Sequence, residues 1–288
     1  MVQTVPHRFL RDRLAALGFR RRPESKGGEG LLPRDTRASQ PGPRVVYFIG
    51  CGTNFQVPRT GEAAFRLLAR AGCEVAVFPN VCCGLPPYSY GDLDAARELT
   101  RKNLDLLAAV DGDFLVTECG SCGRFLKQWA DLFPADPIYQ RRAEAWTSRL
   151  RDFTELLAEL PLPAPPQPYP GRVTYHDPCH LGRGQKIREA PRRLLVEAAG
   201  AELVELPEAD WCCGGAGSYN LTHPETSSQI LDRKLANIAH TGADTLVTAC
   251  PACMLQIAHG LRRQGSAVTV KHVAEVVAEA QGLLLAAD

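Results

Sequence analysis

No apolar stretch in the chain approaches the roughly 20 residues a transmembrane helix needs, so a membrane-spanning protein is not expected. Net charge is almost absent: 33 Lys+Arg against 32 Asp+Glu leave +1, too little for a global field that gathers nucleic acid. The opening MVQTVPHRFLRDRLAALGFRRR lacks the apolar run of a secretory signal, and a cytoplasmic location is expected. No GxGxxG follows a strand to open a helix, and GxxxxGK[ST] and GxSxG are missing. A flavin or nucleotide site within the chain is therefore unsupported. With 45% hydrophobic and 23% charged residues, disordered, collagen-like and coiled-coil classes are also excluded.

The small net charge hides an asymmetry. Residues 1–44 hold ten Arg/Lys and four Asp/Glu, a net of +6, leaving the remainder at 1 − 6 = −5. The basic segment (Arg8, Arg11, Arg13, Arg20, Arg21, Arg22) suits an amphipathic helix with a solvated face. Its alternative is docking to an acidic partner or, peripherally, to the inner membrane face.

Cysteine is abundant: 288 residues hold eleven. Without an export signal these are expected to be reduced, which favours metal or redox chemistry over disulfides. Ten fall into two sets of the same form. Cys51, Cys82, Cys83, Cys119 and Cys122 precede Cys179, Cys212, Cys213, Cys250 and Cys253, at offsets of 128, 130, 130, 131 and 131. DFLVTECGSC (113–122) also aligns with DTLVTACPAC (244–253). The chain is a tandem duplication.

The expected organisation is a basic, partly disordered segment 1–43, a first repeat 44–160, a Pro-rich linker 161–170 and a second repeat 171–288. The linker, PLPAPPQPYP, holds six prolines, which fix φ and favour an extended, semi-rigid connector. Turn formers in 24–44 place the start of the ordered body near Arg44. Each repeat alternates β-branched runs such as RVVYFIG (44–50) and GRVTYHD (171–177) with helical patterns such as 60–72 and 190–200. The fold class is α/β: two tandem, pseudo-twofold related repeats, each a small parallel sheet flanked by helices.

On that reading the cysteines follow the carboxyl ends of strands, where open α/β sheets place ligand sites. CxxC at a helix start sets two sulfurs against free N–H groups and the positive dipole end, which favours thiolates. Adjacent cysteines suit a polynuclear centre, since two neighbouring thiolates can bind different irons. Five thiolates exceed the four of tetrahedral zinc or a cubane cluster. The small residues Gly84, Gly214, Gly215, Ala216 and Gly217 let backbone N–H groups approach bridging sulfur.

The pattern Cx30CCx35CxxC followed by Cx32CCx36CxxC resembles the cysteine-rich CCG domain. That domain occurs twice in a heterodisulfide reductase component, in lactate utilization protein A and in the iron–sulfur subunit of glycolate oxidase. VTYHDPCHLGRGQ (173–185), CCGGAGSYNLTHPE (212–225) and TGADTLVTACPACMLQI (241–257) carry the likeness to the glycolate oxidase type. The resemblance implies that all ten cysteines bind metal as two 4Fe-4S clusters of the noncubane kind, with zinc in one repeat as the alternative. It further implies an electron-transfer subunit of a glycolate- or lactate-oxidising complex, taking electrons from a flavoprotein dehydrogenase toward a quinone or similar acceptor. The rivals are a heterodisulfide-reductase-like subunit that cleaves a disulfide at its cluster, and a zinc-stabilised interaction module. Family members often carry CxxCxxCxxxCP runs near the N-terminus. No cysteine precedes Cys51, so a separate ferredoxin-like subunit or a shortened form is expected.

His176 and His180 flank Cys179 and are candidates to donate to cluster sulfur or carry protons, against plain packing or capping. Their first-repeat counterparts, Phe48 and Gly52, hold no titratable group. Cys73, whose counterpart is Ala201, reads as a small buried hydrophobe and not a ligand.

Overall fold

The computed structural model describes residues 9–21, 30–36, 38 and 40–284. The chain divides into two compact units, Met1–Pro161 and Leu162–Asp288. The described residues form ten strands: β1 (Arg20–Arg21), β2 (Gly30–Leu32), β3 (Arg44–Tyr47), β4 (Glu74–Val77), β5 (Phe114–Thr117), β6 (Leu150–Asp152), β7 (Arg172–His176), β8 (Glu202–Val204), β9 (Thr245–Thr248) and β10 (Thr269–His272).

In the first unit the sheet order is β1-β2-β4-β3-β5-β6, with β3 parallel to β4 and β5, and β5 parallel to β6. Val45, Val46, Tyr47 and Phe48 are all buried, because a central parallel strand is covered by helices on both faces. The covering helix Pro58–Arg70 begins with proline at its first turn and buries Ala63, Ala64, Leu67 and Leu68, the three-and-four spacing of an inward stripe. Helix Leu93–Leu107 starts at Asp92, whose carboxylate accepts from the Ala95 N–H at 3.0 Å.

The ordered body does not begin at Arg44. Strand β2 pairs antiparallel with β4, and β1 with β2. The physical reason is that β4 would otherwise leave an open edge, and the segment brings apolar side chains to it. Leu10 is fully buried against Gly61, where an added Cβ would lie 2.2 Å from Leu10 Cδ2. Phe19 packs edge-on to Phe65 at 5.0 Å. Helix Leu10–Arg13 is a single turn, and its Arg11 is turned inward, not solvated. Arg8 and Arg22 lie outside the described residues.

The second unit is a four-stranded, wholly parallel sheet in the order β10-β9-β7-β8. Its order matches the β6-β5-β3-β4 portion of the first unit, so the duplication seen in the cysteines is also one of topology. Helix Glu189–Arg193 passes into a π-helical turn at Leu194–Ala198, and helices Pro224–Thr241 and Pro251–Arg263 follow β8 and β9. The Pro-rich stretch packs on this unit: the Tyr169 N–H donates to Ala199 O at 2.8 Å, and Gln281 Nε2 to Pro163 O at 2.9 Å. Among the described residues no helix is long and apolar enough to cross a membrane.

Candidate metal centre

In each unit the segments that leave three neighbouring strands at their carboxyl ends carry the cysteines. After β3 comes Cys51, the first residue of helix Cys51–Phe55; after β4 come Cys82 and Cys83; after β5, Cys119 caps helix Gly120–Leu126, which carries Cys122. The second unit repeats this. Cys179 opens helix Cys179–Gly182, Cys212 and Cys213 follow β8, and Cys250 caps the helix carrying Cys253. Strands β3 and β7 each lie between the two others that feed the pocket, the switch point of a doubly wound sheet.

The five thiols of each repeat meet. Cys213 Sγ lies 3.5 Å from Cys253 Sγ, and the Gly214 N–H donates to Cys212 Sγ at 3.3 Å. In the first repeat the Cys122 N–H donates to Cys119 Sγ at 3.5 Å. Proton sharing links the remaining thiols. Cys82 and Cys212 are held down to about 2, first by the thiols of Cys51 and Cys179, then by Cys83 and Cys213, and further by the N–H groups of Gly84 and Gly214. Cys51 and Cys179, which donate, are pushed up in turn. Cys122 and Cys253 are raised by their hydrogen bonds with Cys119 and Cys213 and by burial. Five thiolates this close repel one another, so full ionisation requires a cation among them. Soft sulfur donors suit iron–sulfur centres or zinc, and suit calcium or magnesium poorly. Cys73 is buried apart from both sets, with burial pushing its thiol up to about 12.

Backbone latches hold the cysteine loops. In the first repeat Asn80 Nδ2 donates to Ile49 O at 2.9 Å, and its Oδ1 accepts from the Ile49 N–H at 3.2 Å and from Arg11 Nη2 at 2.7 Å. Asn103 donates to Cys82 O at 3.0 Å and accepts from the Val81 N–H at 3.0 Å, while Trp129 Nε1 donates to Cys83 O at 3.1 Å. In the second repeat Ser227 Oγ donates to Gly214 O at 2.8 Å and Lys234 Nζ to Glu208 O at 2.6 Å. Gly84 and Gly214 have φ of +100° and +85°, and a Cβ at Gly214 would lie 2.5 Å from Ser227 O. Both positions therefore require glycine.

The repeats differ in what else faces the sulfurs. His176 has a ring nitrogen within 4.8 Å of both Cys213 Sγ and Cys253 Sγ, and neither ring nitrogen makes a well-formed hydrogen bond. Burial, then the Lys234 cation, pushes its imidazole down to about 3. His180 is half-buried in the short helix after β7 and is not part of that trio. In the first repeat Glu118 is buried next to Cys119 and accepts from the hydroxyls of Tyr47 and Thr53; the matching position is Ala249. Asn80, Asn103, Lys234 and Glu118 are not singled out by the sequence reading; for Asn103 and Lys234 the available signal is a polar residue within an apolar helix stripe.

This construction, an α/β sheet with a five-thiol pocket at its switch point, twice over, defines a class of duplicated cysteine-rich domains. The chain belongs to the CCG cysteine-rich domain family, whose domain matches residues 45–127 and 173–258. It is similar to the probable glycolate oxidase iron-sulfur subunit of Bacillus subtilis, 37% identical over 83% of this chain and 55% of the relative. It is also similar to lactate utilization protein A of Exiguobacterium sp., 31% identical over 82% of this chain and 98% of the relative. The Geobacillus kaustophilus protein of the same name is 34% identical over 81% and 98%. The chain thus spans about half the Bacillus subtilis relative and nearly the whole length of the other two. A hypothetical protein from Helicobacter pylori shares the fold, with a TM-score of 0.63 and 11% identity, covering 95% of this chain and 53% of that one.

Proposed function

We propose that the chain is a cytoplasmic iron–sulfur subunit of a system that oxidises a 2-hydroxyacid, glycolate or lactate. Cys51, Cys82, Cys83, Cys119 and Cys122 would hold one centre, and Cys179, Cys212, Cys213, Cys250 and Cys253 the other. Each is a 4Fe-4S cluster, noncubane because five thiols serve it. The single observation that carries this is the convergence of five mutually hydrogen-bonded thiols on one switch point in each unit. The names of the curated relatives supply the hydroxyacid.

Such a cluster, when bound, takes up and returns one electron at a time. The chain's own part is to place thiolates, exclude water and direct N–H donors. Cys83, Cys119, Cys122, Cys213, Cys250 and Cys253 are buried, while Cys51 is exposed and Cys82, Cys179 and Cys212 are half-buried. Each pocket is therefore dry at its floor and open at its rim, where a redox partner can approach. The acid itself would be oxidised on a flavoprotein dehydrogenase, with a ferredoxin-like subunit and a quinone or similar acceptor downstream.

The open rim also favours a second reading, disulfide cleavage at the cluster, and the His176, Cys213 and Cys253 trio suits zinc in the second repeat. Anaerobic purification of the full chain, with iron, acid-labile sulfide and zinc analysis and electron paramagnetic resonance (EPR), tests the proposal. Iron with sulfide in both repeats, and co-purification with a flavin-containing chain, is the expected result. Zinc without iron leaves an interaction module, and thiol-linked disulfide turnover by the isolated chain supports a reductase.

A further inference from the structure

Two paired positions give the second pocket what the first lacks. His176, 1% exposed at the end of β7, stands where the first repeat has Phe48, which packs edge-on to Phe78 and Trp129. Lys234, fully buried, stands where the first repeat has Asn103. That alignment follows from the buried stripes of the two helices, Ala96, Thr100, Asn103, Leu104 and Leu107 against Ser227, Leu231, Lys234, Leu235 and Ile238.

We propose that the two centres have different reduction potentials and that the second repeat's is the higher, because His176 donates a hydrogen bond to its sulfur and Lys234 sets a buried cation beside it. The inference rests on the proposal that both repeats hold iron–sulfur clusters.

His176 has a donor to offer because neither of its ring nitrogens makes a well-formed hydrogen bond within the protein. One ring nitrogen lies within 4.8 Å of both Cys213 Sγ and Cys253 Sγ. An N–H at that place can donate to the sulfur of a bound centre.

The ammonium of Lys234 is a surplus charge. The acids around it are Glu208, Asp210 and Asp177. Glu208 is met by Arg233, Asp210 by Arg183 and Arg188, and Asp177 by both Nη atoms of Arg192 at 3.0 and 2.9 Å. A donor to sulfur and a cation in a low-dielectric site both stabilise the reduced, more negative cluster. Phe48 and Asn103 supply neither a charge nor a donor aimed at sulfur: Asn103 Nδ2 is spent on the carbonyls of Cys82 and Leu99. On partial reduction the second centre fills first.

The test is an EPR-monitored redox titration of the full-length chain, purified anaerobically, beside His176→Phe, Lys234→Gln and Phe48→His. Iron and sulfide are measured in every sample. Two separate steps are expected in the parent. His176→Phe and Lys234→Gln should each lower the upper step alone with iron content unchanged, and Phe48→His should raise the lower one. His176→Phe carries the test by itself if the lysine variant does not fold. A single step, or a shift of the lower step in His176→Phe, overturns the ordering while leaving the clusters in place. Iron lost on His176→Phe makes the ring a ligand and overturns its role as donor. A parent without iron overturns the cluster proposal itself, before any potential is read.

Discussion

The thiol pockets of the two repeats share a scaffold and differ in their walls. Both sit at the carboxyl ends of three adjacent parallel strands, both follow the cysteine pair with a left-handed glycine, and both cap a helix with the first cysteine of CxxC. Around the first stand Phe48, Asn103 and Glu118; around the second, His176, Lys234 and Ala249. A duplicated scaffold thus preserves what gathers the thiols and leaves the surrounding positions to differ between the two sites.

The largest effect expected is loss of one centre at a time. Cys213→Ser or Cys250→Ser should remove about half the iron, since each repeat would hold one cluster, and should lower stability of the second unit, because metal binding is coupled to folding. Cys83→Ser should do the same for the first unit. Equal loss from both repeats in any of these variants would break the comparison.

Next in size is strain. Gly214→Ala places a Cβ 2.5 Å from Ser227 O at a φ of +85° and should cost about 1–3 kcal/mol in denaturant unfolding. Gly217→Ala, at φ +67° with no neighbour within 4 Å, should cost about 1–2 kcal/mol. Removing a single latch is comparable or smaller: Trp129→Phe leaves Cys83 O without its donor and should destabilise only the first unit, by about 1 kcal/mol.

A pH dependence should also separate the units. Burial raises the Asp152 carboxyl to about 7, although Thr154 donates to it. A carboxyl raised on folding favours the protonated native state, so the first unit loses stability as pH rises from the ordinary carboxylate range through 7. The counterpart in the second unit is His272, which caps its helix through Nδ1. Asp152→Asn, which keeps a capping oxygen, should flatten the slope measured by thermal unfolding across that range. The smallest effect is expected of Cys73→Ser: iron unchanged, with a modest loss of stability from placing a hydroxyl in an apolar site.

Much of this was legible in the sequence because the informative residues are of rare types at fixed spacings. Cysteine in two quintets marked the duplication, and the runs around Val45 and Val173 marked central strands. What escaped has physical causes. Strands β1 and β2 are two and three residues long, too short for any periodicity, and Arg20–Arg21 reads as a solvated charge run. Strands β6 and β10, LRD and TVKH, are polar and take their place by pairing with β5 and β9. Lys234 looks like one more charge on a polar helix. Its position in the stripe Leu231, Lys234, Leu235, Ile238 was the available signal, but the carbonyls that make its burial tolerable lie about 25 residues away in sequence.

The central claim is that each repeat's five thiols together hold one iron–sulfur cluster. Iron and acid-labile sulfide per chain in the anaerobically purified full-length protein test it most directly. The account predicts roughly eight of each, two clusters of four, falling to roughly four when Cys213 is replaced by Ser. Zinc with no labile sulfide, or an iron content that the Cys213 substitution leaves unchanged, would contradict it.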